Sequence, residues 1–229
     1  MSRSLFIGIL FVVVVLIAAA GCTGQQSKAV VAPSVTIAVP DGDATQKTFT
    51  SLPQSPLNES ERADVIYLQE EEKLVHDLNA AFAAQHSGVP VFLNIANASK
   101  VYMTADNVIL QRYNITNPEK DGSGVFGNQK FQQMYNAGVN NGSLSVMNAL
   151  TASALLEDLH IADLDAAIGR TDNTDVIFIY RQELTASRNN LRVLSQWIAA
   201  YGGTYAPTFI SQSYYNNLVS TPAEPVPAR

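Results

Sequence analysis

Four long segments of this chain carry apolar stripes with α-helical spacing, and this repetition constrains the fold more than any other feature. The segments run approximately over Asn58–His86, Pro90–Tyr113, Ser143–Ile168 and Asn173–Tyr201. Apolar residues three and four positions apart fall on one helix face, which has to pack against a neighbour to leave water. Asn58 and Glu61 form a capping box before the first segment, and Gly202-Gly203 ends the last one.

The connection between the second and third segments is longer than the other two. It contains Asn117-Pro118 and the glycine-rich stretch 121–127, followed by a short predicted helix over Asn128–Ala137. Short connections join antiparallel neighbours, and a long one is typical of a crossover between helical hairpins. The sequence therefore predicts an all-α domain over residues 57–218. Its expected form is an antiparallel four-helix bundle of two helical hairpins, joined by a crossover with a short extra helix.

The N-terminus has the pattern of a secretory signal. Arg3 precedes an uncharged, mostly apolar run to Gly21, and Ala19-Ala20-Gly21-Cys22 resembles the lipobox of prokaryotic lipoproteins. We therefore expect a signal peptide over residues 1–21, lipidation at Cys22 and an extracytoplasmic domain anchored to the cell membrane. An uncleaved transmembrane helix is the alternative, and it also places the domain outside. Residues 22–56 are predicted to be a flexible linker, and residues 219–229 a disordered tail.

Charge and cysteine content narrow the classes of partner and chemistry. The net charge is −6 with dispersed acidic residues and no basic patch, so nucleic acid is not an expected partner. Cys22 is the only cysteine, which excludes an intramolecular disulfide and a thiolate site in the domain. With three histidines in the chain, a metal site has to be rich in carboxylates. The expected partners are the membrane, an unidentified protein and a second copy in a homodimer.

Carboxylates interrupt the apolar stripes near their centres. Glu71 lies among apolar residues in the first helix, Glu157 in the third and Glu183 in the fourth. An ionised and unpaired carboxylate in such an interior costs several kcal/mol, so each needs a metal, another cation or a proton. With His160 one turn after Glu157, the candidate metal ligands are Glu71, Glu157, His160 and Glu183. The expected metal is iron or manganese, as one ion rather than two.

Each candidate also has an interpretation without metal. Glu71 and Glu157 are alternatively protonated, or hydrogen-bonded to side chains of the neighbouring helices, namely Ser99, Tyr102, Arg188 and Asn190. His160 is alternatively a surface or helix-interface histidine near Asp163. Glu183 alternatively pairs with Arg188 or faces solvent. Glu70, Glu72 and Lys73 are predicted to form a solvated face.

Several stretches resemble a ferritin-like family catalogued as domain of unknown function 2202 (DUF2202). The stretches are Glu70–Leu74, Pro90–Ala96, Asp158–Leu164, Arg170–Asn173, Ser187–Arg192 and Gly202–Pro207. The resemblance covers about residues 57–218 and implies a small bundle with a dinuclear metal centre. Ser99 and Tyr102 stand where that family usually has Glu-x-x-His, and Asn190 stands where it commonly has His.

Two functions follow from these observations, and the sequence leaves open whether the chain is an enzyme. The first is a structural or interaction module at the cell envelope, in which an inner polar layer fixes the register of the helices. The second is a metal-binding oxidoreductase or iron-handling protein with a carboxylate site in the bundle core.

Overall fold

The computed structural model describes Pro33, Ile37 and residues 42–225, and these contain seven α-helices and no strand. The helices are α1 (Gly42–Ser51), α2 (Glu59–Gln85), α3 (Pro90–Arg112), α4 (Gln129–Gly142), α5 (Val146–Ile168), α6 (Thr174–Ala200) and α7 (Gln212–Ser220). None of the helices in this part of the chain is long and apolar enough to cross a membrane. The predicted signal peptide, Cys22 and residues 226–229 lie outside the described residues.

The four long helices lie close to their predicted bounds, and local sequence sets their ends. The Asn58 side chain accepts a hydrogen bond from the Glu61 amide at 3.0 Å, and the Asn58 amide donates to the Glu61 carboxylate at 2.7 Å. Pro90 occupies the first turn of α3, where its missing amide proton costs nothing. The predicted capping box and proline start are therefore both present.

These helices pack as two pairs that also contact each other. α2 packs most extensively on α3, and α5 on α6; α2 additionally contacts α5, and α3 contacts α6. Each long helix therefore touches two others and buries more than one face. The apolar core that they enclose includes Phe82, Phe92, Leu150, Ile161 and Leu194.

The crossover helix is longer than predicted. α4 continues through Asn140-Asn141 to Gly142, where the sequence suggested a turn. A Cβ atom at Gly142 would lie 2.3 Å from the buried Phe82 ring, so α4 can lie this close to α2 only with glycine there. Packing against α2 and α5 overrides the local turn preference of these residues.

The prediction of a flexible linker is wrong for residues 42–51. They form α1, whose Phe49 is fully buried, and which packs on α3 and α6. The guanidinium group of Arg112 donates to the backbone oxygen atoms of Phe49 at 2.8 Å and of Leu52 at 2.6 Å, and lies 3.1 Å from Asp175. A ten-residue helix held by one ring and one guanidinium group has too few turns to show a periodic pattern.

The predicted disordered tail is also wrong for its first half, because residues up to Glu224 pack on α6. The Glu224 carboxylate accepts hydrogen bonds from Arg188 at 3.0 Å and Arg192 at 2.9 Å. Before the predicted tail, in the connection between α6 and α7, the backbone amides of Thr208, Phe209 and Ile210 donate to the buried Asp158 carboxylate. Polar contacts between distant residues hold the segment in place, and the prolines that suggested disorder do not reveal them.

Candidate functional site

Five buried ionisable side chains from all four long helices form one group in the interior, which we call the inner acid cluster. Its members are Glu72 on α2, Asp106 on α3, Glu157 and His160 on α5, and Glu183 on α6. The charges of Asp106 and Glu157 both raise the pKa of Glu72, and the charges of Asp106 and Glu72 both raise the pKa of Glu183. Burial and mutual repulsion favour the neutral form of these acids.

Glu157 is hydrogen-bonded on one oxygen atom only. The Asn190 amide donates to its Oε1 atom at 3.1 Å, whereas Oε2 has no hydrogen-bond partner among the described residues. Burial raises the pKa of Glu157 to about 8, against the lowering effect of Ser187 and Asn190. This carboxyl group is therefore mostly protonated at neutral pH.

His160 is a neutral member of the cluster. Its Nδ1 atom lies 3.3 Å from the Ser187 hydroxyl and 3.4 Å from the Glu72 carboxylate, and burial lowers its pKa to about 3. The three side chains are not a nucleophilic triad, because serine and carboxylate would have to contact opposite ring nitrogen atoms. Nε2 has no partner within the described part of the chain. Of the alternative interpretation, the surface position is wrong and the helix interface is correct, since His160 is buried between α5 and α6.

Glu183 faces Asp106 across the α3–α6 contact. Neither of its oxygen atoms has a hydrogen-bond donor partner in residues 42–225, and one Asp106 oxygen atom also lacks one. Burial raises the pKa of both groups, and the Asp106 carboxyl group raises that of Glu183 further. Two buried carboxyl groups that repel each other favour a state in which at least one of them is protonated. The expected alternatives for Glu183, solvent and Arg188, are wrong; Arg188 pairs with Glu224.

The α2 residue in the cluster is Glu72, for which the prediction of a solvated face is wrong. Glu72 is 3% exposed, and the Ser99 hydroxyl beside it acts to lower its pKa, which burial raises. Lys73 is also buried, donating to Asp77 and to the backbone oxygen atom of Gly122, and Glu70 accepts from the Asn128 amide. A sequence signal for Glu72 existed, since it follows Leu68 by four residues and precedes Val75 by three, both apolar.

Glu71 lies in the interior but on another side of α2. Burial, together with the nearby Asp163 carboxyl group on α5, raises the pKa of Glu71. The structure therefore brings Glu157, His160 and Glu183 into one cluster and places Glu71 beside it. Asp106 is the other member that we did not predict as a site residue. It continues the spacing of Ser99 and Tyr102 on α3, which was the available signal.

The positions that depart from the resembled family now face the remaining glutamates. Asn190 donates to Glu157, Ser99 lies beside Glu72, and Tyr102 is buried near the same acids. Within the described residues, no three His, Cys, Asp or Glu side chains form a group arranged to hold a metal ion.

Comparisons with known proteins identify relatives without an assigned activity. The family model described as "Uncharacterized protein domain (DUF2202)" matches residues 61–222. The uncharacterized protein MJ0754 of Methanocaldococcus jannaschii is 38% identical over 177 residues, which cover 77% of this chain and 95% of that protein. The crystal structure of that hypothetical protein superposes with a TM-score of 0.74 at 37% identity, covering 76% of this chain and 99% of the other.

Proposed function

This chain belongs to the DUF2202 family, and we propose that it is a lipid-anchored structural module displayed outside the cell membrane. In this proposal the four long helices form a ferritin-like four-helix bundle. A neutral, hydrogen-bonded acid layer occupies the place of a dinuclear metal centre. The outer surface of the bundle then serves to bind a protein partner.

The hydrogen bond from Asn190 to Glu157 carries this proposal. By the resemblance, position 190 is a ligand position in the family, and here its amide occupies a carboxylate lone pair that a metal would need. Ser99 lies at a second such position, and its hydroxyl group likewise acts on a cluster carboxyl group: it lowers the pKa of Glu72. A protonated carboxyl group that also accepts a hydrogen bond is a poor metal ligand, because ligands bind in their deprotonated form.

A buried polar layer of this kind contributes specificity. Asn190 and Ser187 on α6 meet Glu157 and His160 on α5 only in one register, since sliding α6 by a turn would separate both pairs. The layer would therefore hold the long helices in one arrangement. A stable arrangement is what a display module requires, and it needs no reaction at the cluster.

The location outside the membrane rests on the residues before α1. Arg3, the apolar run and Cys22 have the order that lipoprotein export requires. We expect the chain to fractionate with membranes and its mature N-terminal peptide to carry a diacylated cysteine in mass spectra. A Cys22→Ser variant should lose the lipid, and an unmodified Met1 peptide in the wild-type protein would contradict the anchor.

Metal analysis tests the structural role. Protein purified from cells grown with added iron and manganese should contain well under one equivalent of either metal, and a chelator should leave its melting temperature unchanged. Glu157→Gln should then melt at or above the wild-type temperature at pH 8, because Gln supplies a neutral group of the same shape. Stoichiometric metal that this variant loses would overturn the structural proposal.

A single metal ion is the second candidate, and the unpartnered polar atoms favour it. Both Glu183 oxygen atoms, Oε2 of Glu157 and Nε2 of His160 have no partner among the described side chains. Oxygen and imidazole donors suit iron or manganese, and Glu72 would complete the set. Such an ion would supply Lewis-acid or redox chemistry. Under this candidate one equivalent of metal binds, and both Glu157→Gln and Glu183→Gln abolish it.

A further inference from the structure

The sequence contains four Asn-x-Ser/Thr triplets, the acceptor pattern of N-linked glycosylation, and they begin at Asn58, Asn97, Asn114 and Asn141. The reaction joins a sugar to the side-chain amide nitrogen of the asparagine, so a transferase has to reach the triplet at the protein surface. The four triplets look alike in the sequence. Their places in the fold differ, and this difference separates one of them from the other three.

Three of the triplets are parts of helices. The triplet at Asn97 lies entirely within α3, and its Ser99 is 2% exposed. Asn58 is the N-cap of α2, and the other two residues of its triplet are in the first helical turn. The triplet at Asn141 lies at the end of α4 and contains the buried Gly142. Each of these triplets has to lose helical hydrogen bonds before an enzyme can bind it in another conformation.

The triplet at Asn114 follows the end of α3 and lies outside the helices. Asn114 has a φ of 51°, in the left-handed region, which turns the chain away from the helix. Its backbone amide donates to the Gln111 carbonyl at 3.2 Å, and the Ile115 amide donates to the Leu110 carbonyl at 2.8 Å. These bonds end the helix with backbone groups alone, so they do not use the side chain of Asn114.

The two side chains that glycosylation requires are both accessible in this triplet. Asn114 and Thr116 are exposed, and Ile115 between them is half-buried. Neither the Asn114 amide group nor the Thr116 hydroxyl group forms a hydrogen bond with any other residue that the structure describes. Asparagine also occurs at this helix-ending position for its backbone conformation alone. That role, however, does not require an exposed threonine two residues later.

We propose that Asn114 carries an N-linked glycan, an assignment that rests on the proposed location outside the cell membrane. The donor is a sugar chain joined through phosphate to a membrane lipid, and a transferase of the cell supplies the catalyst. The Asn114 Nδ2 atom bonds to C1 of the first sugar, the bond from C1 to the phosphate oxygen atom breaks, and the lipid phosphate leaves. One Nδ2 proton passes to a base of the transferase. The Thr116 hydroxyl group completes the recognised triplet.

Mass spectrometry of the full-length chain, purified from the cells that naturally produce it, tests this assignment. Trypsin places each of the four triplets in a separate peptide, with Asn114 in residues 113–120. Electron-transfer fragmentation should locate the sugar on Asn114 and find the other three peptides unmodified. Asn114→Gln, expressed in the same cells, should lose the mass of the whole glycan. Asn97→Gln is the matched control, since it makes the same change at another exposed triplet asparagine, and it should keep that mass.

Substitutions of Thr116 separate loss of the triplet from an effect on folding. Thr116→Ala keeps Asn114 in place and should lose the glycan, because the hydroxyl group is missing. Thr116→Ser keeps a hydroxyl group at this position and should retain the glycan. Far-ultraviolet circular dichroism of each variant confirms that it is folded. A glycan that persists in folded Thr116→Ala would overturn the assignment.

The Cys22 peptide of the same digest distinguishes failure of this assignment from failure of the membrane anchor. Unmodified Asn114 overturns the glycan, and a lipidated Cys22 in that sample leaves the proposed location intact. A glycan on Asn114 without lipid on Cys22 supports the assignment and contradicts only the anchor. Sugar on Asn58, Asn97 or Asn141 with unmodified Asn114 would show that position in the fold does not select the triplet, and would also overturn the proposal.

Discussion

The side-chain amide of Asn190 on α6 donates a 3.1 Å hydrogen bond to the carboxyl group of Glu157 on α5, and both residues are buried. This bond links the two helices of one pair at a level where Glu72 and Asp106 approach from the other pair. A polar contact between neutral groups thus lies at the centre of the helix packing. The contribution of this hydrogen bond can be measured from the free energy of unfolding of variants that lack it.

Replacement of Asn190 by Leu should lower the free energy of unfolding by about 1–3 kcal/mol, because it leaves a buried carboxyl group without its donor. Urea unfolding at pH 7 measures this change. The double variant Glu157→Met/Asn190→Leu should be less destabilised than the sum of the two single variants, since it removes both partners. Strict additivity would show that the two side chains do not act as a pair.

The stability of the protein should fall as pH rises from about 6.5 to about 8. The pKa of Glu157 rises from 4.5 to about 8 on folding, so in this window the folded chain holds a proton that the unfolded chain has lost. Stability therefore decreases with pH, by about 1.4 kcal/mol per pH unit for each such proton. The raised pKa values of Glu72 and Glu183 act in the same direction. Urea midpoints at pH 6.5, 7.25 and 8 measure the slope.

His160 sets the lower limit of that pH window. Folding lowers the pKa of His160 from 6.5 to about 3. Its contribution to the stability of the fold is therefore present above pH 6.5 and is lost as pH falls toward 3. Glu157→Gln should flatten the fall in stability above pH 6.5, because Gln cannot ionise. A wild-type protein that becomes more stable between pH 6.5 and 8 would contradict the buried neutral acids.

Replacement of Arg112 by Ala should release α1 and leave the long helices folded. The guanidinium group donates to two backbone oxygen atoms at the end of α1 and stacks on the Phe49 ring, 4.9 Å from its centroid. Hydrogen exchange followed by mass spectrometry should show faster exchange in peptides from residues 42–52, with little change in α5. Arg181→Ala, at an exposed position on α6, is the control and should exchange like wild type. Unchanged protection of α1 in Arg112→Ala would show that Phe49 alone holds it.

Gly142→Ala should destabilise the fold by about 1–3 kcal/mol through overpacking. The new methyl group would lie 2.3 Å from the Phe82 ring, which is fully buried. Gly88→Ala is a matched control, because a Cβ atom there meets nothing within 4 Å. Thermal unfolding of both variants measures the difference. Equal melting temperatures would mean that α4 moves away from α2 without cost.

The sequence predicted the four long helices well, because their signals are local. The Asn58–Glu61 capping box and Pro90 act within one turn of helix. Membership in the DUF2202 family was also readable from short stretches, and the family match confirms it. Helix α1 was missed because the burial of Phe49 depends on Arg112, which lies far away in the chain.

The sequence by itself determined that acids interrupt the apolar stripes and therefore enter the interior, since a helical period is visible in residue spacing. Only the tertiary structure decided which acid of Glu70-Glu71-Glu72 faces which neighbours. Adjacent helix positions point about 100° apart, and α2 is covered on several sides by α3, α4 and α5. All three glutamates are consequently buried, and their chemistry depends on the helix that each one meets: Asn128 of α4 for Glu70, Asp163 of α5 for Glu71, and the inner acid cluster for Glu72.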